Sequence, residues 1–228
     1  MSRIGKAYEA RFRALLLRLH ARQLEAGVQW LLAKAQHNAE ETKAPPTRSL
    51  SDAYEHLRNQ VRAWEQRTRR DEVRKVSPER FVCDTGLGGL ARWLRAAGYE
   101  AFWFPNIDDA ELIRRARVLN AFVLTTDSLM MERGVLRDGV VPSLWLPPAL
   151  TKQEQLALVL RELDLKPRDP RCMTCGGELR PTPKETLRDR IPPKTWRWID
   201  EYFLCDRCGQ LFWRGTHWQR IQAAIEKI

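Results

Sequence analysis

Two Cys-x-x-Cys-Gly segments, Cys172–Gly176 and Cys205–Gly209, constrain this 228-residue chain more than any other feature. A glycine directly after each pair lets the backbone turn so that its amides point at a thiolate sulfur. Two such knuckles supply four soft anionic donors, the tetrahedral set that suits a structural Zn²⁺. Cys172, Cys175, Cys205 and Cys208 are therefore the expected zinc ligands. The 29 residues between the pairs exceed the usual spacing of such sites. Doubling a loop costs only about 0.6 kcal/mol, so the insertion does not rule the site out. Four protein ligands leave no open position, which makes this metal a builder of structure and moves any catalysis upstream. The competing reading is a pair of disulfides or free structural thiols. Cys83, the remaining cysteine, sits in an apolar run and reads as a small buried residue.

Charge limits the partners. The chain carries 39 Lys and Arg against 29 Asp and Glu, a formal net charge of +10. Residues 1–80 hold 17 basic and 10 acidic side chains, so +7 of the excess lies there. Such a balance favours a polyanion, nucleic acid before an acidic membrane surface. Arg11, Arg13 and Arg18 interrupt the first apolar stretch, so neither a signal peptide nor a membrane span is expected. Cysteines at metal spacing suit a reducing compartment, and the cytoplasm is the expected location.

Residues 2–40 read as one long helix, with Tyr8, Phe12, Leu15, Leu19, Val28 and Leu31 recurring at three to four residues. Pro45 and Pro46 mark a break. A second helix is predicted from Leu50 to Lys75, carrying Tyr54, Leu57, Val61 and Trp64 on one stripe and Arg67, Arg69 and Arg70 at its end. Residues 1–77 thus form an expected helical hairpin arm. Its uses are packing, self-association or a protein partner on one reading, and contact with an RNA backbone on the other.

From Glu79 the pattern changes. Phe81–Cys83, Ala101–Phe104, Ala121–Thr125 and Val140–Leu146 are short apolar runs separated by helical segments at Leu90–Ala97 and Asp109–Leu119. A last helix is expected over Thr151–Leu163. Strands alternating with helices imply an α/β fold with a short parallel sheet, over residues 78–167, followed by a zinc ribbon over 168–228.

Asp84 directly follows the first strand, and Asp127 directly follows the third, Phe122-Val-Leu-Thr-Thr126. In open parallel sheets the functional crevice lies beyond the carboxyl ends of the strands, where strand order reverses. Asp108 and Asp109 open the helix after the second strand, at the same end. Oxygen donors gathered there suit divalent cations and metal-assisted hydrolysis of a phosphodiester. Asp108-x-x-Glu111 also fits an N-terminal capping box, which favours Asp109 over Asp108 as the ligand. Asp127 in turn fits a cap on the segment that follows it. Asp84-Thr85-Gly86 matches an aspartic-protease tripeptide, but it leads into a helix here, whereas those enzymes are all-β. No phosphate loop of the Gly-x-x-x-x-Gly-Lys-Ser/Thr kind is present.

Taken in order, these segments resemble a known group. Leu87-Gly-x-Leu-Ala-Arg-Trp-Leu-Arg95-x-x-Gly98-Tyr99 after Asp84, then Asp108-Asp109-x-Glu-Leu112, then Val123-Leu-Thr-x-Asp127, resemble the PIN-like ribonuclease domain first named from the C-terminus of the mutator-seven exonuclease. Cys172-x-x-Cys175, Arg190-Ile-Pro-Pro193, Cys205-x-x-Cys-Gly209 and Phe212-Trp-x-Gly-Thr-His-Trp218 extend the likeness through a zinc ribbon. The resemblance covers roughly residues 80–220. It implies a three-layer PIN-like α/β/α fold and divalent-metal-dependent RNA cleavage, with Asp84, Asp109 and Asp127 as ligands of Mg²⁺ or Mn²⁺. Gly86 and Gly89 depart from the larger residues usual beside the first acid.

Arg92 and Arg95, three apart on one helix face, are expected to hold a phosphate near these acids, with plain surface solvation as the alternative. Trp213, His217 and Trp218 bring aromatic and basic character to the ribbon and suit stacking on unpaired bases, although a ribbon this small needs most of its aromatics for its own core. The expected function is a divalent-metal-dependent, endonucleolytic ribonuclease. Its partner is RNA, with tRNA or the ribosome among the candidates. The alternative is a non-catalytic RNA- or ribosome-binding protein that retains the fold.

Overall fold

The computed structural model describes residues 3–68 and 77–228. Arg69, Arg70 and the rest of the predicted second helix to Lys75 lie outside the described residues. The chain begins with helices α1 (Arg3–Arg18), α2 (Leu24–Thr42) and α3 (Pro46–Thr68). Then come β1 (Arg80–Cys83), α4 (Gly88–Ala96), β2 (Glu100–Trp103), α5 (Asp109–Val118), β3 (Phe122–Thr125), α6 (Gly134–Arg137), β4 (Ser143–Trp145) and α7 (Lys152–Glu162). The last part contains β5 (Leu179–Pro181), α8 (Pro193–Trp198), β6 (Tyr202–Cys205), β7 (Leu211–Trp213) and α9 (Thr216–Ile225).

The first 40 residues differ from the single helix their periodicity predicts. The chain turns between Arg18 and Leu24, with His20 at φ 54°. Arg13 grips Glu25 through two hydrogen bonds, at 2.9 and 2.8 Å. Twelve residues of straight helix would separate that pair by about 18 Å, so the contact exists only because α2 folds back. Neither Gly nor Pro marks the turn, and the apolar spacing runs through it. Pro46 supplies the first residue of α3, where a missing N–H costs nothing.

The chain divides into two compact units. The first contains residues 1–76 together with 126–137 and 145–151. Its core is Tyr8, Phe12, Leu15, Val28, Leu31, Tyr54, Leu57, Val61 and Trp145. Tyr8 and Tyr54 meet the Trp145 ring edge-on, at 5.3 and 4.9 Å between centroids. The Tyr8 hydroxyl hydrogen-bonds with Ser51 at 2.7 Å. Arg11 pairs with Glu132.

The second unit holds residues 77–125, 138–144 and 152–228. Strand order in the four-stranded sheet is β2-β1-β3-β4, and both β2 and β3 run parallel to β1. Phe81, Val82 and Cys83 are fully buried, as expected of a central strand covered on both faces. The crossover through α4 moves to one side of β1 and the crossover through α5 returns to the other. Right-handed connections in opposite directions put these helices on opposite faces, giving the α/β/α layering. The order therefore reverses between β1 and β3. A separate antiparallel sheet, β5-β6-β7, carries the ribbon. Its core is Leu187, Ile191, Tyr202 and Leu211. Among the described residues no helix is long and apolar enough to cross a membrane.

Candidate active site and metal centre

The four cysteines come together. Their sulfurs all lie within 4.8 Å of one another, with Cys172–Cys208 at 3.6 Å and Cys175–Cys205 at 3.4 Å. A tetrahedral ion about 2.3 Å from each sulfur would set the sulfurs about 3.8 Å apart. The donors are thiols, and the spacing fits zinc. Gly176 and Gly209 adopt φ of 81° and 67°, the left-handed turn that each knuckle needs. The turn aims amides inward: Gly177 N–H donates to the Cys175 sulfur at 3.4 Å.

The thiols are unequal in the absence of an ion. Burial pushes the Cys175 thiol up to about 12 despite the Gly177 amide. Burial also raises Cys205, but the Cys208 and Arg207 amides and the neighbouring sulfurs outweigh it and bring that thiol down to about 7. A cation at the centre of the four sulfurs would favour their thiolate forms together. Buried Cys83 is pushed up to about 12 by desolvation, in keeping with an inert core residue.

The acids at the strand ends are placed one by one. Asp84 leaves β1 at the point where strand order reverses, and its N–H donates to Leu124 O at 3.0 Å. One carboxylate oxygen accepts Thr85 N–H at 2.6 Å; the other accepts the Thr125 hydroxyl from β3 at 2.8 Å. Each oxygen keeps a second lone pair. The Thr85 hydroxyl donates to Ile107 O at 3.3 Å, and Trp103 Nε1 donates to Thr85 O at 2.9 Å. These bonds tie the Asp84 turn to the loop that leads into α5, so Asp109 begins its helix on the same rim. Asp108 is the N-cap of α5, accepting Glu111 N–H at 2.9 Å, as the capping spacing predicts. Glu111 is held down to about 2 by hydrogen bonds from Arg114 and Arg115. Asp127, in the other unit, accepts Leu129 N–H at 2.8 Å. Apart from the four cysteines, no group of three or more His, Cys, Asp or Glu side chains is assembled for an ion among the described residues.

Of the two arginines on α4, Arg92 is exposed and Arg95 is buried. Arg95 donates to the carbonyls of Ala101, Met173 and Thr174, so its place does not fit the expected phosphate contact. Trp213 is half-buried against the ribbon core. Trp218 stacks on Phe203 with centroids 5.7 Å apart, and His217 is exposed near the start of α9. Thr125 through its hydroxyl and Thr85 through its amide orient Asp84, and neither is among the expected site residues. A threonine at the end of a strand neighbouring the acid was the available signal.

A four-stranded parallel sheet with a carboxylate at its switch point, joined to a ribbon that carries four clustered cysteines, defines an α/β protein with an appended metal-site ribbon. Residues 79–225 match the Mut7-C RNAse domain, and the chain belongs to that family. Membership implies a ribonuclease, with RNA as its substrate. No curated protein and no solved structure matches the chain.

Proposed function

We propose that the protein is an endonucleolytic, Mg²⁺- or Mn²⁺-dependent ribonuclease of the cytoplasm, with Asp84, Asp109 and Asp127 as its metal ligands. Asp84 carries the reading. It stands beyond the carboxyl end of the central strand, and Thr85 and Thr125 orient its oxygens while leaving a lone pair on each. Asp109 supports it from the first turn of α5, and Asp127 enters from its place just past β3 and from family likeness. Asp108 serves the helix as its cap. Hard cations of this kind commonly take one or two carboxylates and complete their shell with water and substrate phosphate. A bound ion would activate water and stabilise the leaving oxygen. Exposed Arg92 would meet a neighbouring phosphate, and His217 and Trp218 would meet bases. RNA in general, tRNA and ribosomal RNA included, is the proposed substrate class.

The test is cleavage of total cellular RNA with Mn²⁺ or Mg²⁺ by wild type and by Asp84→Asn, with the ends mapped. Losing a ligand should remove several kcal/mol of transition-state stabilisation, more than about a hundredfold in rate. Internal cuts that vanish with the variant and with chelation support the proposal. Equal cleavage by Asp84→Asn would falsify it. Salt-sensitive RNA binding without cleavage under any divalent ion would favour the non-catalytic alternative.

A further inference from the structure

Arg95 on α4 is only 7 % exposed, a rare place for a guanidinium. Its Nε donates to Ala101 O at 2.8 Å, beside the start of β2. Its Nη1 donates to Met173 O at 3.0 Å and Thr174 O at 2.8 Å. Met173 and Thr174 are the two residues between the first pair of cysteines. The Arg95 carbonyl accepts Arg171 N–H at 2.8 Å, one residue before Cys172. A second arginine crosses in the opposite direction. Arg207, between the second pair of cysteines, donates to Glu100 of β2 at 2.6 Å and to Cys175 O at 3.1 Å.

Four thiolates around Zn²⁺ leave a net charge of −2, and a buried cation needs compensating negative charge or dipoles. Arg95 finds both at the first knuckle. Its planar fork also reaches carbonyls on two separate segments, which a single ammonium satisfies less well. We infer that Arg95 is a positioning residue for the zinc site, coupling zinc occupancy to α4 and to the Asp84 turn at the start of that helix. The inference rests on zinc at the four thiols and is independent of the nuclease proposal.

Wild type, Arg95→Lys and Arg95→Met decide it. Zinc content is measured first, then zinc transfer to excess chromogenic chelator, then the charge-transfer absorption of the Co²⁺-substituted proteins. Hydrogen exchange over residues 84–97 is followed with and without zinc. Loss of such an outer contact typically weakens a site about 10–100-fold, and Arg95→Met should release zinc faster by that factor. Arg95→Lys should fall between, and the Co²⁺ band should shift in both. Wild-type α4 should exchange faster once zinc is removed. Unchanged release and absorption in Arg95→Met would overturn the inference, as would wild-type exchange indifferent to zinc. If Arg95→Met does not fold, the lysine variant and the wild-type exchange decide alone. Wild type that binds no zinc overturns both the zinc reading and this inference, while RNA cleavage is judged separately.

Discussion

Thr125 is fully buried at the end of β3, yet its hydroxyl reaches across to the neighbouring strand and donates to Asp84. A hydrogen bond to a charged acceptor contributes about 1.5–3 kcal/mol. Thr125→Val keeps the branched shape that suits a strand and removes the hydroxyl. RNA cleavage should fall about tenfold, the equivalent of about 1.4 kcal/mol, while the melting temperature moves by only a few degrees. Cleavage rates and melting curves measured on the same preparation check this; unchanged cleavage removes Thr125 from the site. The place of Asp84 just past the first strand was legible from the residues alone, because an apolar run gives way there to a glycine turn. The cysteine set was legible for a related reason, since ligand spacing is local. Arg95 was not. Arg92 and Arg95 look alike on a helix, and only carbonyls about 78 residues away in sequence distinguish the buried one from the exposed one.

At the scale of elements, α4 ends in a Schellman turn: Tyr99 N–H reaches Leu94 O at 2.9 Å and Gly98 N–H reaches Arg95 O at 3.1 Å. Gly98 has φ 93°, and a Cβ there would lie 2.6 Å from Arg168 Cβ and 2.8 Å from Asp169 O. The segment leading to the ribbon crosses at this point, with Arg168 N–H donating to Ala97 O at 3.0 Å. Gly98→Ala therefore combines backbone strain with a clash that no rotamer relieves. Stability should fall by at least about 2 kcal/mol, read as a lower urea midpoint with an unchanged slope. A midpoint equal to wild type contradicts the argument. The α/β elements were predictable because strand runs and capping boxes are local signals, as Asp108 shows. The turn between α1 and α2 was hidden because its apolar spacing continues through Leu19, and contacts between helices, not a breaker residue, fold the chain back.

The whole molecule is less legible still. Tyr8 and Arg11 take partners at Trp145 and Glu132, more than a hundred residues onward, so the helical unit takes in a segment after β3 and the last residue of β4. No local pattern announces such pairings. They also make deletion of the N-terminal helices a poor test of their role, because it would strip apolar cover from Trp145. Charge reversal leaves that core intact. Lys6, Arg22, Lys34 and Lys43 are exposed on or beside α1 and α2, and replacing all four by Glu lowers the formal net charge from +10 by 8, to +2. If these helices meet an RNA backbone, each lost phosphate contact reduces the salt slope of binding to single-stranded RNA by about 0.7. Loss of four contacts should then lower affinity at low salt steeply and flatten its salt dependence. The measurement is a titration of labelled single-stranded RNA across salt concentrations, with molecular mass recorded in parallel. An unchanged slope with a changed mass assigns the helices to self-association; an unchanged slope and mass excludes these four side chains from both roles.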